Sequence, residues 1–444
     1  MSKKRTRRDF IKDTALTGAG LSLGVAGLTA KSYGRIMGSN DRVNFAVIGI
    51  RSRGATHIDS ISVSKNGVVS HICDVDTRYL EQQTARMKEN KITPAKTEKD
   101  FRKILEAKDV DAITIATPEH WHAPMALAGV QAGKHVYLEK PSSHNPAEGE
   151  MLLEAQKKYK PLIQMGNQQR SSAHTIEAMK KIHDGVIGRA YMGKAWYSND
   201  RKTIGVGKEV AVPDYLDWEL WQGPTPRRAY KDNVHPYNWH WFWHWGTGET
   251  LNNATHEIDL CLWALDEKYP ERIGSTGGRY HFKDDWEFYD TLLASFEYKD
   301  KLITWEGKSC NNMNYFGRGR GATIHGTEGT VLIDRNGYEI YDNDNVKTFE
   351  YVKPQKDETT GLAGGGPMTD GHFQNFIDAI TKGARLNSPI DKGQVPVTML
   401  LLSNIAWKTG QILDIDPANG HVKDNTIMQN HWGREYQPGW EPKV

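Results

Sequence analysis

Two short polar signatures stand directly after apolar segments in the first third of the chain. Thr117-Pro118-Glu119-His120-Trp121-His122 follows apolar residues 110–116, and Glu139-Lys140-Pro141 follows residues 135–138. Ligands of parallel sheets bind where the strands end, so these side chains are candidates for a binding site. Lys140 and the histidines can hold or transfer a proton, as acid–base chemistry on a bound hydroxyl requires.

A glycine turn precedes both signatures and has the spacing of a dinucleotide-binding loop. It reads Gly49-Ile50-Arg51-Ser52-Arg53-Gly54 and lies between an apolar segment and a plausible helix. The outer glycines match the Rossmann fingerprint, in which glycine lets the backbone approach a pyrophosphate at a helix N-terminus. Arg51 replaces the middle glycine of that fingerprint. Either Arg51 or Arg53 could bind phosphate oxygens directly.

Asp74 ends the next apolar segment, 25 residues after the first glycine of the turn. An acid at this place accepts hydrogen bonds from the adenosine ribose hydroxyls and disfavours a 2′-phosphate. We therefore expect NAD as the cofactor, in preference to NADP. In the alternative interpretation Asp74 only caps the following helix, a role for which Asp76 is an equal candidate.

Alternating strand and helix patterns must position these residues. Up to about residue 168, apolar strand-like segments alternate with helical ones, which predicts a doubly wound parallel α/β sheet over residues 41–168. After about residue 170 the rhythm changes. Strand-like segments with hairpin signals then predict an α+β domain with an antiparallel or mixed sheet over residues 169–444.

Together these motifs resemble the glucose–fructose oxidoreductase / inositol dehydrogenase (Gfo/Idh/MocA) family over about residues 41–410. The remaining motifs behind the resemblance are Gly166 with Arg170, His256 with Asp259, His372-Phe373, and Asn404-Ile405-Ala406. The resemblance implies an N-terminal Rossmann domain and a C-terminal α/β domain with a large, open, mostly antiparallel sheet. It also implies a bound nicotinamide cofactor, hydride transfer to or from a sugar or polyol carbon, and a homodimer or homotetramer formed through the open sheet.

The same resemblance implies that Lys140 contacts the reacting hydroxyl. The family's catalytic Asp-x-x-x-His pair corresponds to Asn252 and His256, and an asparagine cannot ionise. We expect His256 to carry the proton while Lys140 orients or polarises the oxygen, because histidine has a pKa of ~6.5. Asp259 lies on the same predicted helix as His256, where it would bind sugar hydroxyls or orient that histidine.

The predicted site joins these residues to their neighbours at the strand ends. The catalytic residues are Lys140 and His256. The predicted cofactor contacts are Gly49, Ile50, Arg51, Ser52, Arg53, Gly54, Asp74, Thr117, Pro118, His122, Glu139, Lys140 and Asn167. The predicted substrate contacts are Arg170, Asn252, Asp259, Trp239 and Trp241.

An aromatic run, HPYNWHWFWHWGTG, covers residues 235–248. It contains alternating tryptophans, namely Trp239, Trp241, Trp243 and Trp245. If the run is extended, their indoles share one face, and indoles stack on the apolar faces of sugar rings. The alternative, to which we give equal weight, is a loop packed on its own aromatic side chains.

Metal ligation and disulfides receive little support from the sequence. The three cysteines, Cys73, Cys261 and Cys310, show no metal-ligand spacing and cannot form a disulfide framework. A zinc site from His235, His240 and His244 is a weak alternative, because no carboxylate or cysteine completes it. We therefore expect no metal.

The first thirty residues resemble an export signal peptide. Thr6-Arg7-Arg8-Asp9-Phe10-Ile11-Lys12 fits the twin-arginine signal, and an uncharged Gly/Ala-rich stretch follows, ending at about Ala30. That stretch is too short and too rich in glycine for a stable span, so we expect no membrane anchor after cleavage. Twin-arginine export moves folded proteins, usually because a cofactor must be loaded first. We therefore expect residues 1–30 to be a signal peptide and the protein to be periplasmic.

The net charge argues against one class of partner. The chain has 57 Lys plus Arg and 55 Asp plus Glu, a net charge of +2. Residues 1–30 hold six basic and two acidic residues, so the remaining chain carries −2. This balance is not that of a nucleic-acid-binding protein, and we expect a sugar or glycoside as the ligand instead.

Three functions remain open from the sequence. The first is an NAD-dependent oxidoreductase with a tightly bound cofactor, acting on a secondary hydroxyl of a sugar or glycoside; oxidation at the third carbon would form a 3-keto-glycoside. The second is a redox-neutral, NAD-dependent glycoside hydrolase, which needs no external electron acceptor. The third is a non-catalytic carbohydrate-binding protein, against which the Lys140–His256 pair argues.

Overall fold

The first part of the chain forms a parallel sheet, as the alternating pattern predicts. The structure, a computed structural model, describes residues 42–352 and 365–444, so the predicted signal at 1–30 lies outside the described residues. The strands are β1 Val43–Ile48, β2 Gly67–Cys73, β3 Lys96–Glu98, β4 Ala112–Ile115, β5 His135–Leu138 and β6 Ile163–Met165. Their order, β3-β2-β1-β4-β5-β6, is that of a Rossmann sheet.

The central strand β1 is buried on both faces, which explains its unbroken apolar run. Ala46 and Ile48 pack into one hydrophobic cluster, while Phe45 and Val47 pack into another on the opposite face. The helices of this half are α1 Arg53–Val63, α2 Thr77–Glu89, α3 Phe101–Glu106, α4 His122–Gln131 and α5 Pro146–Lys158. Short 3-10 turns cover Glu119–Trp121 and Gln168–Ser171.

A second, ten-stranded sheet follows, and it is mostly antiparallel as predicted. Its strands are β7 Ala190–Asp200, β8 Arg272–Gly278, β9 Thr291–Glu297, β10 Leu302–Lys308, β11 Cys310–Asn311, β12 Arg320–Gly326, β13 Gly329–Ile333, β14 Gly337–Asp342, β15 Lys347–Val352 and β16 Leu413–Asp414. Only β7 and β10 pair in parallel among its strands in the described residues. The sequence pattern predicts strands at about 190–198, 290–298, 301–307, 321–325, 329–334 and 346–352, which correspond to β7, β9, β10, β12, β13 and β15. It does not predict β14 or β8, and the glycines of β8 weaken its strand signal.

Six further helices complete the described chain. They are α6 Ala173–His183, α7 Trp218–Gln222, α8 Thr255–Leu265, α9 Pro367–Lys382, α10 Ile390–Thr409 and α11 Asn425–His431. A 3-10 turn covers Asn238–Trp241, and a π-helical turn, Thr250–Ala254, leads directly into α8. None of the helices in the described ranges is long and apolar enough to cross a membrane.

Helix α9, which follows most of the second sheet in the chain, packs against the first sheet. Phe373 of α9 stacks on Tyr137 of β5 with ring centroids 4.2 Å apart, and it also contacts Phe45 of β1. Residues Val43–Val444 accordingly form one compact unit. The division between residues 168 and 169 separates the two sheets along the chain, but as a domain boundary it stays a prediction.

A long irregular segment, residues 201–248, which we name the strap, lies over the loop after β2. Its own core consists of Leu216, Trp218, Trp221, Tyr230, Val234, Trp239, Phe242 and Trp245. Main-chain hydrogen bonds attach it to that loop: Thr77 N–H donates to the Tyr215 carbonyl at 2.9 Å, and Asp217 N–H donates to the Val75 carbonyl at 3.0 Å. The strap therefore closes one side of the site described next.

Candidate functional site

One large cavity, of about 390 Å³, lies where the parallel strands end. Its wall comes from the glycine turn, from the loops after β2, β4 and β5, from the strap, and from the start of α8. Most of the predicted cofactor contacts line it, namely Gly49, Arg51, Ser52, Arg53, Asp74, Thr117, Pro118, His122, Glu139 and Lys140. Asn252, His256 and Trp239 line it as well.

The glycine turn has the close backbone approach that the fingerprint requires. Gly49 has a φ of +79°, and a Cβ there would lie 2.7 Å from the main chain of Ala116. A Cβ on Gly54 would lie 1.9 Å from the Gly49 carbonyl oxygen. Ser52 begins α1 without a side-chain cap, so the first N–H groups of this helix can bind an anion. Ile50 and Gly54 are buried and support the turn from behind.

Asp74 lines the cavity, and its neighbour Asp76 performs the capping role. The Asp74 carboxylate accepts hydrogen bonds from the N–H groups of Ile50 at 2.9 Å and Asp76 at 3.0 Å. Asp76 caps α2 by accepting from the Arg78 N–H at 3.0 Å, which resolves the alternative left open by the sequence. Burial raises the pKa of Asp74 to about 6, so an added hydrogen-bond donor would favour its ionised form.

Glu139 joins the start of α1 to the turn after β6. Its Oε1 accepts hydrogen bonds from Arg53 Nε at 2.7 Å and from Gln168 Nε2 at 2.9 Å, and His57 Nε2 lies 3.0 Å away. Burial by itself would raise the pKa of Glu139, but Arg53 and His57 hold it well below the ordinary value. Arg53 Nη2 is buried without a hydrogen-bond partner among the described residues, so it has a donor left for a phosphate.

The loops after β4 and β5 are tied together by His122. Its Nδ1 lies 2.6 Å from the Pro141 carbonyl oxygen and its Nε2 lies 2.9 Å from the Thr117 carbonyl oxygen. Both ring nitrogens are therefore occupied by the main chain, and His122 positions the loops on which Lys140 stands. The Thr117 hydroxyl is buried without a hydrogen-bond partner in the described residues, so it can bind a ligand in the cavity.

Lys140 lies against the start of α8, which brings the three central residues together. Its Nζ donates a hydrogen bond to the Asn252 carbonyl at 2.6 Å and lies 3.4 Å from Asn252 Oδ1. Asn252 belongs to the π-helical turn, a form that often marks functional sites. Burial lowers the pKa of Lys140, although the charges of Glu139 and Glu119 oppose that effect.

His256 lies on the same wall and is held neutral. Its side chain is 6% exposed, and its Nδ1 has no hydrogen-bond partner in the described residues. Burial, together with the positive charges of Arg335, Lys140 and Arg320, holds the pKa of His256 well below its ordinary value. This environment opposes the predicted role of His256 as the proton carrier, because an imidazolium would stand among cations.

Asn167 contributes less directly than predicted. It does not line the cavity, although its side chain is buried and its amide atoms have no hydrogen-bond partner among the described residues. The next residues, Gln168 and Gln169, do line the cavity, and the amide of Gln169 is also without a partner there. The strand-end rule that located Asn167 would have found these glutamines if extended by two positions.

The predicted substrate contacts Arg170 and Asp259 bind each other instead. Arg170 donates from Nε and Nη2 to the Asp259 carboxylate, both at 2.7 Å. Neither residue lines the cavity, and their side chains are 10% and 2% exposed. The two were predicted separately, because nothing in the sequence indicates that residues 89 positions apart form a bidentate pair.

The aromatic run does not form an extended platform. Residues 238–241 form a 3-10 turn, and Trp241 is buried and stacks on Trp286 with centroids 4.0 Å apart. Trp241 does not line the cavity, so the geometry gives no support to its prediction as a substrate contact. Trp239 borders the cavity but is 8% exposed and stacks on His240 at 3.6 Å. The packing interpretation thus describes most of the run, with Trp239 at its edge.

The histidines of the run bind other partners. His235 Nε2 lies 3.0 Å from the Asp76 carboxylate, and His240 Nδ1 and His244 Nε2 each lie 2.7 Å from a main-chain carbonyl oxygen. Within residues 42–352 and 365–444, no group of three or more His, Cys, Asp or Glu side chains is arranged to hold a metal ion. The zinc alternative therefore has no support in this part of the chain.

Glu119 belongs to the polar signature after β4, but it is not among the residues predicted from the sequence to form the site. Glu119 begins the 3-10 turn after β4, lines the cavity, and is 2% exposed. Burial raises its pKa to about 7. Arg320 is also absent from the residues predicted from the sequence. It lines the cavity from the start of β12 and pairs with Glu257 at 2.8 Å. Arg320 joins the site only through the second sheet, so no local signal could have found it.

Two family models match this chain. Residues 43–167 match the Gfo/Idh/MocA oxidoreductase family, NAD-binding Rossmann fold, and residues 175–332 match the Gfo/Idh/MocA C-terminal domain. Among solved structures, a levoglucosan dehydrogenase in complex with NADH and levoglucosan has a TM-score of 0.64 at 18% identity, covering 84% of this chain and 99% of that chain. The WlbA dehydrogenase from Bordetella pertussis, with NADH and UDP-GlcNAcA, has a TM-score of 0.62 at 19% identity, with coverages of 84% and 99%. These likenesses show the fold.

Curated relatives carry a different name. A glycosyl hydrolase family 109 protein of Saccharopolyspora erythraea is 29% identical over 256 residues, which are 51% of this chain and 55% of that protein. A glycosyl hydrolase family 109 protein of Solibacter usitatus is 27% identical over 209 residues, covering 45% of this chain and 48% of its own. The chain thus spans about half the length of the curated relatives it matches.

Proposed function

Because the chain belongs to the Gfo/Idh/MocA family of NAD-binding oxidoreductases, we propose that it acts on a secondary hydroxyl of a sugar or glycoside with tightly bound NAD. One observation carries this proposal: Lys140 lies in the cavity that also holds the glycine turn and Asp74, and its Nζ contacts Asn252 beside His256. A cofactor loop and a half-buried proton-handling group thus share one cavity.

The residues of the cavity fit NAD. The glycine turn and the uncapped start of α1 would hold the pyrophosphate, with Arg53 Nη2 as an additional donor. Asp74 would accept the ribose hydroxyls, and the unpaired Thr117 hydroxyl and Gln169 amide offer further hydrogen bonds. When bound, NAD supplies the acceptor or donor of hydride for the carbon that carries the hydroxyl.

Lys140 and Asn252 orient the hydroxyl. The half-buried Lys140 ammonium donates to the Asn252 carbonyl and keeps N–H groups for a substrate oxygen, which it would polarise. Asn252 offers an amide that can bind a neighbouring hydroxyl, as the sequence comparison with its family suggested. His256 stays neutral and would position the same oxygen by a hydrogen bond.

Enclosure by the strap supports a cofactor that stays bound. Its contacts to the loop after β2 lie beside Asp74, so dissociation of NAD would require the strap to move. We propose further that the protein is exported to the periplasm by the twin-arginine route, which agrees with loading the cofactor before export. The sugar or glycoside itself is proposed from the same site and from the ligands that the similar structures carry.

A second candidate is redox-neutral hydrolysis of a glycoside through transient oxidation. The names of the curated relatives favour it, although the alignments cover about half of those proteins. Both candidates share the oxidation step and the same residues. They differ in whether an oxidised sugar or a free aglycone leaves the site.

One experiment separates these candidates. The purified protein is denatured to identify any released dinucleotide, and native protein is incubated with 4-nitrophenyl glycosides. A keto-glycoside is the product expected of the oxidoreductase, whereas free nitrophenol without an added acceptor is expected of the hydrolase. Absence of any dinucleotide, even after loading with NAD, would contradict both.

Lys140→Ala tests the residue on which the proposal rests. We expect turnover to fall by at least ~100-fold, because positioned proton-handling groups contribute that much, while the dinucleotide remains bound. The matched control is Lys157→Ala, an exposed lysine on α5, which should leave turnover unchanged. Normal turnover in Lys140→Ala would refute the role given to this lysine.

A further inference from the structure

His240 of the strap has one ring nitrogen committed to the main chain and one that is free. Its Nδ1 lies 2.7 Å from the Tyr237 carbonyl oxygen, and its Nε2 has no hydrogen-bond partner in the described part of the chain. The residue lines the cavity, is 9% exposed, and stacks on Trp239 with ring centroids 3.6 Å apart. Stacking restricts rotation of the ring, so Nε2 is the polar atom that this side chain offers to a ligand.

The contact with the Tyr237 carbonyl determines which nitrogen of His240 carries the proton. A carbonyl oxygen only accepts hydrogen bonds, so Nδ1 must be the N–H donor. Burial, followed by the positive charges of Lys140, Arg201 and Arg51, lowers the pKa of this imidazole well below its ordinary value, although the Tyr237 carbonyl opposes that effect. The ring is therefore neutral and has a single N–H. Nε2 is a hydrogen-bond acceptor, which a hydroxyl group can satisfy.

Side-chain contacts fix this part of the strap to the π-helical turn. The Tyr237 hydroxyl accepts a hydrogen bond from Arg201 Nη1 at 3.2 Å, and Arg201 pairs with Glu249. The Glu249 carboxylate in turn accepts from Asn252 Nδ2 at 3.4 Å. Asn252 is the residue whose carbonyl binds Lys140 Nζ at 2.6 Å. The strap histidine is thus tied to the wall of the cavity on which the reacting hydroxyl is proposed to bind.

We infer that His240 Nε2 accepts a hydrogen bond from a second hydroxyl of the sugar, one that is not oxidised, and that this contact makes the site select glycosides that carry it. The inference rests on the proposed function and adds a specificity-determining residue to it. A substrate without this hydroxyl would leave the nitrogen lone pair unpaired in an enclosed site, which weakens binding. The contact involves no proton transfer.

Deoxy-sugar analogues test the contact. Because both candidate functions share the oxidation step, we measure single-turnover reduction of bound NAD by a reactive 4-nitrophenyl glycoside and by the monodeoxy analogues that retain the oxidised hydroxyl. In the wild type, one analogue should react ~10- to 100-fold more slowly than the parent because it leaves Nε2 unpaired. In His240→Phe that difference should fall below about threefold, while discrimination at the other positions is unchanged.

A deoxyfluoro analogue tests the direction of the hydrogen bond. Fluorine cannot donate a hydrogen bond, so the analogue with fluorine at the same carbon should be as poor a substrate of the wild type as the deoxy analogue. A fluoro analogue that reacts as fast as the parent would overturn the assignment of Nε2 as the acceptor.

Two further variants separate recognition from folding. His240→Gln can place an amide oxygen near the position of Nε2, so it should retain the discrimination that His240→Phe loses. His244→Phe is the matched control, because His244 belongs to the same strap but does not line the cavity. It should leave every rate ratio unchanged. All three variants should melt and bind NAD as the wild type does.

The outcomes distinguish failure of this inference from failure of the proposed function. Unchanged rate ratios in a folded His240→Phe would overturn the inference alone, and so would weakened NAD binding with unchanged ratios, which would assign Nε2 to the cofactor. If no glycoside reduces bound NAD in the wild type, the proposed function fails. Nitrogen-15 NMR of the full chain labelled at histidine, with His240→Gln as the assignment reference, then still decides whether Nε2 is unprotonated. A protonated Nε2 would overturn the inference.

Discussion

The two aspartates that follow β2, Asp74 and Asp76, have different roles. Asp76 caps α2 and binds His235 of the strap, and this leaves Asp74 with a carboxylate that faces the cavity. Burial makes ionisation of Asp74 unfavourable in the empty site, whereas ribose hydroxyls would favour it. Ligand binding would therefore shift the ionisation equilibrium of Asp74, so the two processes are coupled.

NAD affinity should therefore depend on pH through Asp74. The pKa of Asp74 is about 6 in the folded protein and 3.8 ordinarily, so the free carboxyl is mostly protonated below pH 6. NAD binding prefers the ionised form, so the affinity should rise as pH increases through about 6 and weaken below it. Isothermal titration at pH 5 to 8 measures this.

Asp74→Asn is the matching control, because it should bind NAD more weakly and remove this step from the pH dependence. The folding stability of the protein without NAD should change with pH in the opposite direction to the NAD affinity. Stability from the raised pKa is present below pH 4 and is lost as pH rises through 6. An unchanged pH profile in Asp74→Asn would contradict the role of this residue.

At the scale of elements, the strap is what turns an open cofactor groove into a cavity. Its prolines and glycines suit neither a long helix nor a sheet, which explains why it is irregular, and its indoles pack into a core of their own. That core gives the segment a fixed shape. The contacts with the loop after β2 then hold it beside Asp74.

Loosening the strap should speed release of NAD. His235→Ala removes the ring nitrogen that lies 3.0 Å from the Asp76 carboxylate. Losing a hydrogen bond to a charged group costs roughly 1.5–3 kcal/mol, so we expect the dissociation rate to rise by at least ~10-fold. Stopped-flow displacement of bound NADH by NAD measures the rate.

Val206→Ala is the matched control on the strap, because its side chain is 74% exposed and should not affect release. Equal rates for His235→Ala and this control would show that the strap does not limit dissociation.

The second sheet, the largest element of the molecule, has one covered face and one more open face, on which Leu293 is exposed. Along β9, Leu292, Ala294 and Phe296 are buried, whereas Leu293 points the other way and is 50% exposed. Its cross-strand neighbour on that face is Glu306 of β10. An exposed leucine in the middle of an open sheet face favours self-association, in agreement with the expected homodimer or homotetramer.

Leu293→Glu should dissociate that oligomer. Association would have to bury the new carboxylate against the same carboxylate of a second subunit. The desolvation cost is several kcal/mol, more than one contact in the interface contributes to association. Sedimentation velocity should show the wild type as a dimer or tetramer and the variant as a monomer with unchanged melting. Val63→Glu, at a 70% exposed valine on α1, is the control. A monomeric wild type would refute the prediction.

Local sequence patterns suffice to locate the parallel sheet, the glycine turn, Asp74 and Lys140. These follow from local patterns: apolar runs buried on both faces, glycines where the backbone must approach, and polar residues where strands end. The tertiary structure alone decided the partners. It joined Arg170 to Asp259, packed Trp241 on Trp286, and placed Glu119 in the wall of the cavity. Such pairings depend on which distant segments meet, and burial among them sets each pKa, so no local pattern can encode them.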